Sequence, residues 1–352
     1  MRFSLNALRN AIVITLAALT STAVPTSQAQ TKELNLYSAR HYQTDEALYA
    51  DFTKQTGIKI NRIEAGDEPL LERLRSEGAN SPADVLILVD AARLWRAQAD
   101  GIYQPVRSAV LDARIPANLR GNDDGQGGEW FGFSTRARII VYNKAEISRD
   151  SVLNYEDLAK PALKGKVCTR SAAHPYMLSL IGAMSEHLGE VAAEQWARGV
   201  VANLARTPKG GDTDQIKALG TGECGVALTN TYYLVRLMRS TKPEDLALVN
   251  KLGVVMPNQA SYGTHMNISG GGVLKTARNR DAAVKFLEYL TSDQAQQYLA
   301  EGNNEWPVVK SALTKNPQLE SLGNFKQDSL SIAAIGRSQI AASRLIDRVG
   351  WR

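Results

Sequence analysis

Downstream of a short apolar N-terminal stretch, the chain switches repeatedly between two hydrophobic periods. Leu34-Asn-Leu-Tyr-Ser38 and Ile58-Lys-Ile-Asn-Arg-Ile63 alternate as strands do. Between them Leu48 and Phe52 stand four apart behind Thr44, Asp45 and Glu46. That pattern predicts a helix capped by Thr44, running through Lys54 and ended by Gly57. Leu70 to Ser76 is predicted helical. Ala83–Val89 is a nearly continuous apolar run, the pattern of a strand covered on both faces. Asp90 is placed to cap a helix over Ala91–Ala99, which Gly101 stops. This βαβαβα rhythm predicts a mostly parallel sheet in a layered α/β domain.

The polar loop 121–128 is followed by the run Trp130–Tyr142, which is too long for one ordinary strand in one sheet. It reads as a strand crossing between two domains. A second α/β series follows: strand Lys166–Thr169, helices Tyr176–Leu188 and Asp214–Leu219, strand Val226–Thr229, helix Leu234–Arg239 and strand Val254–Met256. Ser261–Ser269 is a second candidate crossing, after which Val273-Leu274 and the helix Asp281–Leu290 return to the α/β pattern. Two crossings predict two α/β lobes of discontinuous sequence with a cleft between them, the architecture of a hinge-binding protein. Ligands in such folds collect where strand carboxyl ends face the cleft. The expected division is 30–133 plus 267–310 for the first lobe and 134–266 plus 311–352 for the second.

Arg2 and Arg9, the apolar run Ala11–Leu19 and the small residues of Ser27-Gln28-Ala29 form a secretory signal pattern over residues 1–29. The apolar run is too short to span a bilayer as a helix. An exported, soluble mature chain is expected. The full length of 352 residues fits two domains, and 44% hydrophobic content excludes a wholly disordered chain. The formal charge is +5; without Arg2 and Arg9, 39 basic residues face 36 acidic ones, leaving +3. With no dense Lys/Arg run, nucleic acid is not an expected partner. Cys168 and Cys224 allow one disulfide or two buried thiols, and each adjoins a strand-like run.

Five segments in chain order carry a resemblance: Tyr37-Ser-Ala-Arg-His-Tyr42; Trp130–Asn143; Pro161-Ala-Leu-Lys-Gly-Lys166; Gly222–Tyr233; and Ser269-Gly-Gly-Gly-Val-Leu274 with Ala282–Leu290 and Glu305-Trp-Pro307 after it. Together they resemble the periplasmic ferric-iron-binding proteins of bacterial ABC importers, the bacterial transferrins. The crossing run and the Leu-Lys-Gly-Lys segment are common to many solute-binding proteins. The Arg-His-Tyr start with a late Tyr-Tyr is specific to the iron group, and the tyrosine-rich set is similar to its anion-independent subclass common in cyanobacteria.

The residues fit that chemistry on their own terms. Fe³⁺ is a hard ion and phenolate a hard oxygen donor, and a metal deprotonates a coordinating group below its free pKa. Tyr232 and Tyr233 follow the strand Val226–Thr229 at its carboxyl edge. Tyr42 holds the corresponding place after the first strand, and Tyr176 opens a helix after Ser171-Ala-Ala-His-Pro175. The resemblance implies Tyr42, Tyr176, Tyr232 and Tyr233 as Fe³⁺ ligands, with His41 as a fifth ligand or beside the metal. His174 reads as a turn residue. Arg236, one turn behind the tyrosine pair, and Arg40 are expected to offset the phenolate charge, and Arg136 to steady the site or hinge. The implied partner is an inner-membrane ABC permease, and the implied state is a monomer in the periplasm.

Other readings predict other residues. A zinc or manganese importer would use several histidines and carboxylates, but the four histidines at 41, 174, 187 and 265 are scattered. A binder of a small anion or organic solute would use arginines and helix N-termini and leave the tyrosines unexplained. An enzyme is not expected, since neither Gly-x-Ser-x-Gly nor His-Glu-x-x-His occurs.

Overall fold

A computed structural model describes residues 32–40, 44–121, 126–312 and 315–352. The first half of the chain forms β1 (Glu33–Ser38), α1 (Asp45–Thr56), β2 (Lys59–Glu64), α2 (Asp67–Glu77), β3 (Val85–Leu88), α3 (Ala91–Ala99), α4 (Ala109–Arg114) and the long β4 (Phe131–Asn143). Next come β5 (Val167–Cys168), α5 (Pro175–Leu188), α6 (Glu190–Ala202), α7 (Asp212–Gly220), β6 (Val226–Asn230), α8 (Thr231–Met238), α9 (Pro243–Lys251) and β7 (Leu252–Val255). The chain ends with β8 (Met266–Val273), α10 (Arg280–Leu290), α11 (Asp293–Asn303), β9 (Trp306–Pro307), α12 (Pro317–Glu320), α13 (Ile332–Arg337) and α14 (Gln339–Val349).

Local chemistry accounts for most of these boundaries. Asp90 caps α3 by accepting the Ala92 and Arg93 N–H groups. Gly57 ends α1 at φ 69°, a left-handed conformation glycine adopts without a Cβ penalty. Thr44 does not cap α1 as its sequence position predicts: its backbone is helical and its hydroxyl bonds Asn303 instead. A tertiary partner has outcompeted the local one.

The strands run β2-β1-β3-β8-β4-β6-β5, with β7 and β9 also on β4. Pairing is parallel through β2-β1-β3 and between β5 and β6, as the βαβ rhythm predicts. Every pairing that β4 and β8 make is antiparallel, so the sheet is mixed rather than mostly parallel. The two crossing strands run against the βαβ strands on either side.

β4 is the element that organises the molecule. Its first half, Phe131 to Ala137, pairs with β8, whereas Arg138 to Asn143 pair with β6 and β7. One strand thus enters both lobes of a two-lobed α/β fold. The second crossing is β8, Met266–Val273, five residues beyond the start expected at Ser261. Its glycines are there for space: a Cβ on Gly271 would lie 2.5 Å from the Leu86 carbonyl oxygen.

The apolar interior is divided in the same way. Leu34, Phe52, Val85, Phe131 and Phe286 pack in one core beside β1 and β3. Tyr155, Leu180, Trp196, Val226 and Ile346 pack in another beside β5 and β6. The C-terminal helices touch both regions. Gly336 of α13 leaves room for Trp95 of α3, and Leu345 and Ile346 of α14 join the core that holds Leu180 of α5.

Candidate metal centre

β6 ends at Asn230, and α8 begins at Thr231, which places Tyr232 and Tyr233 in its first turn. Tyr232 is only 1% exposed and Tyr233 half-buried, their ring centroids 4.2 Å apart. From the other side, β5 leads into α5, whose N-terminal turn carries Tyr176. Pro175 suits the first helical position because its missing N–H has no partner to lose there. His174 is the cap, its Nδ1 accepting the Tyr176 N–H at 3.2 Å. That is the turn role its place before proline implies. The buried Tyr176 and Tyr232 meet there, hydroxyl to hydroxyl, at 3.2 Å.

Cations line this cluster. The guanidinium carbons of Arg136 and Arg170 lie 5.4 Å and 5.2 Å from the Tyr176 ring centroid. His174 records the same field. Burial, then Arg170, Arg138, Arg93 and Arg136, push its imidazole down to about 3. Among the described residues no group of three or more His, Cys, Asp or Glu is arranged to hold a metal ion.

Asp212 and Arg138 are a buried ion pair beside the tyrosines that sequence reasoning missed. Asp212 is fully buried, accepts Arg138 Nη1 at 2.5 Å and the Asn230 N–H at 2.8 Å, and lies 3.4 Å from Arg170 Nη1. It pins the end of β6 just before the tyrosine pair. The signal available was the alternation of β4, which puts Arg136 and Arg138 on one face of a buried strand.

The other expected residues are placed as follows. His41 and Tyr42 lie outside the described residues. Arg40, just before them, is buried and pairs with Asp45 and Glu305 at 3.0 Å each. Arg136 is buried on β4; it donates to Ser269 Oγ at 2.9 Å and to the Val89 carbonyl, and lies 3.6 Å from Glu305. Arg236 is exposed, its guanidinium carbon 5.5 Å from the Tyr233 ring centroid, so it sits over Tyr233 rather than behind Tyr232. Cys168 and Cys224 form a disulfide, with Cα atoms 5.9 Å apart. It ties the end of β5 to the turn before β6, in the apolar cluster that also holds Leu234 and Leu237 of α8. No helix among the described residues is long and apolar enough to cross a membrane.

Residues 47–327 match the family model described as bacterial extracellular solute-binding protein. The chain belongs to that family. Iron uptake protein A1 of Synechocystis sp. is 48% identical over 91% of this chain and 88% of its own length. Among solved structures, that of Trichodesmium IdiA (FutA) in complex with iron and citrate ligands is 52% identical, with a TM-score of 0.85 over 91% of this chain and all of that one. Apo FutA2 from Synechocystis also superposes at 0.85, with 46% identity over 92% of this chain and 100% of that chain. The two solved structures share the fold of this chain.

Proposed function

We propose that this chain captures ferric iron in the cleft between its lobes and delivers it to an ABC permease. The observation that carries this reading is the meeting of Tyr176 and Tyr232, phenol to phenol at 3.2 Å, with the Tyr233 ring against that of Tyr232. The names of the relatives at 46–52% identity, iron uptake protein A1 and FutA, support it. Tyr176, Tyr232 and Tyr233 supply three phenolate oxygens from the second lobe (134–266 plus 311–352). Tyr42 supplies the fourth from the first lobe (30–133 plus 267–310), with His41 at its side. Binding releases the phenol protons, because only the deprotonated oxygen is the donor. Four phenolates on Fe³⁺ leave one net negative charge, which Arg136 and Arg170 offset from beside Tyr176. No synergistic anion is then required. Because donors come from both lobes, the metal favours the closed arrangement. Residues 1–29 export the chain to the periplasm, where it acts as a monomeric binding protein rather than an enzyme.

The experiment is a titration of the metal-free protein with ferric iron, read in the visible. Phenolate-to-iron charge transfer colours the loaded protein red-orange to purple. A colourless protein at saturating ferric iron refutes the reading.

A further inference from the structure

Asp90 sits between β3 and α3 with no solvent exposure. One carboxylate oxygen accepts the Ala92 and Arg93 N–H groups at 2.9 and 3.4 Å. The other accepts Asn267 Nδ2 at 2.7 Å and Ser179 Oγ at 2.9 Å. Asn267 is held in turn, its Oδ1 accepting the Ala91 N–H at 2.9 Å. α3 follows β3, and β8, which carries Asn267, pairs with β3 through Leu88 and Gly270. These contacts therefore travel together in the first lobe. Ser179 belongs to α5, three residues after Tyr176, on the next turn of the same helix face. Among the described hydrogen bonds of Asp90, the one from Ser179 alone joins it to a tyrosine-bearing helix.

We propose that Ser179 and Asp90 form a latch that holds the closed state and thereby slows release of the cargo, positioning α5 and its Tyr176 rather than touching the metal. This rests on the reading above, in which α5 closes on the first lobe around iron. The bond is fully buried, and its acceptor is a carboxylate whose other lone pairs are already fixed by Ala92, Arg93 and Asn267. Separating α5 from α3 breaks it and requires water to hydrate both groups. Hydrogen bonds to a carboxylate contribute enough that losing one corresponds to about a tenfold change or more. The effect falls on the dissociation rate, because iron leaves from the closed form.

The test compares wild type, Ser179→Ala, Asp90→Asn and the double variant. Iron release to excess EDTA is followed by the visible band, urea unfolding of the metal-free proteins measures packing, and small-angle scattering of the metal-free proteins measures opening. The latch predicts release about tenfold faster in Ser179→Ala, with an unfolding midpoint close to wild type, and no further acceleration when Ser179→Ala is added to Asp90→Asn. Unchanged release, a further acceleration in the double variant, or a Ser179→Ala midpoint lowered in step with faster release would overturn it. A wild-type protein that takes no iron would refute the functional reading instead. Scattering then decides the latch alone, with a larger radius for Ser179→Ala supporting it and an identical radius sinking it.

Discussion

Tyr176 and Tyr232, 56 residues apart in sequence, hold their hydroxyls 3.2 Å apart at the starts of two different helices. Two phenols at that distance share one hydrogen bond while protonated; deprotonated, they need a cation between them. Replacing either by Phe keeps the ring and removes the oxygen. Each single variant should lose or shift the charge-transfer band and bind ferric iron about tenfold more weakly or worse, while the metal-free protein unfolds near its wild-type midpoint. Unchanged absorbance and affinity in Tyr176→Phe would make that residue part of the packing only.

Arg236 places an exposed cation 5.5 Å from the Tyr233 ring. Metal and protons compete for the phenol oxygens, and a nearby cation favours the proton-free site. Arg236→Ala should therefore bind iron more weakly, by a deficit that shrinks as salt is added. The more negative local potential should also tip the site further toward Fe³⁺ over Fe²⁺. Exposure keeps the effect small and salt-sensitive. Affinity equal to wild type at low salt would remove Arg236 from any part in tuning.

His265 is 2% exposed, and neither ring nitrogen has a hydrogen-bond partner. Burial, reinforced by Arg138, His187 and Arg136, pushes it down to about 3. The unfolded chain takes up this proton below about pH 6.5 while the folded chain does not, so stability is lost as pH falls from there toward about 3. In urea unfolding between pH 6 and pH 4, His265→Gln should lose less stability than wild type. The slopes should differ by about 1.4 kcal/mol per pH unit. Equal slopes would contradict the assignment.

The Cys168–Cys224 bridge spans 56 residues, a loop for which the chain-entropy model gives about 4 kcal/mol. The Cys168→Ser/Cys224→Ser variant should unfold at lower urea by a comparable amount. Loss of that magnitude in urea unfolding, reproduced by reduction of wild type, is the expected outcome. A midpoint indistinguishable from wild type would show that the bridge contributes nothing to stability.

Much of this was legible in sequence because it rests on local pattern. The apolar run of β4 announced a crossing strand, Asp90 announced the α3 cap, and Tyr232-Tyr233 stood where β6 ends. Long-range partners were not legible. Thr44 bonds Asn303, far along the chain, which no capping rule foresees. Asp212 reads as one more acidic residue at a helix start until Arg138 and Asn230 are brought onto it. Arg236 was correctly placed on the tyrosine-bearing helix, but spacing alone could not say that it faces solvent over Tyr233. The antiparallel pairing of β4 and β8 was hidden because periodicity reports burial, not direction.

The central claim is that phenol oxygens of both lobes hold ferric iron. A crystal structure of the iron-loaded protein, with anomalous data at the iron edge, tests it most directly. The account predicts one strong anomalous peak within bonding distance of the phenol oxygens of Tyr42, Tyr176, Tyr232 and Tyr233. A peak bound elsewhere, or one that leaves Tyr176 and Tyr232 bonded only to each other, would contradict it.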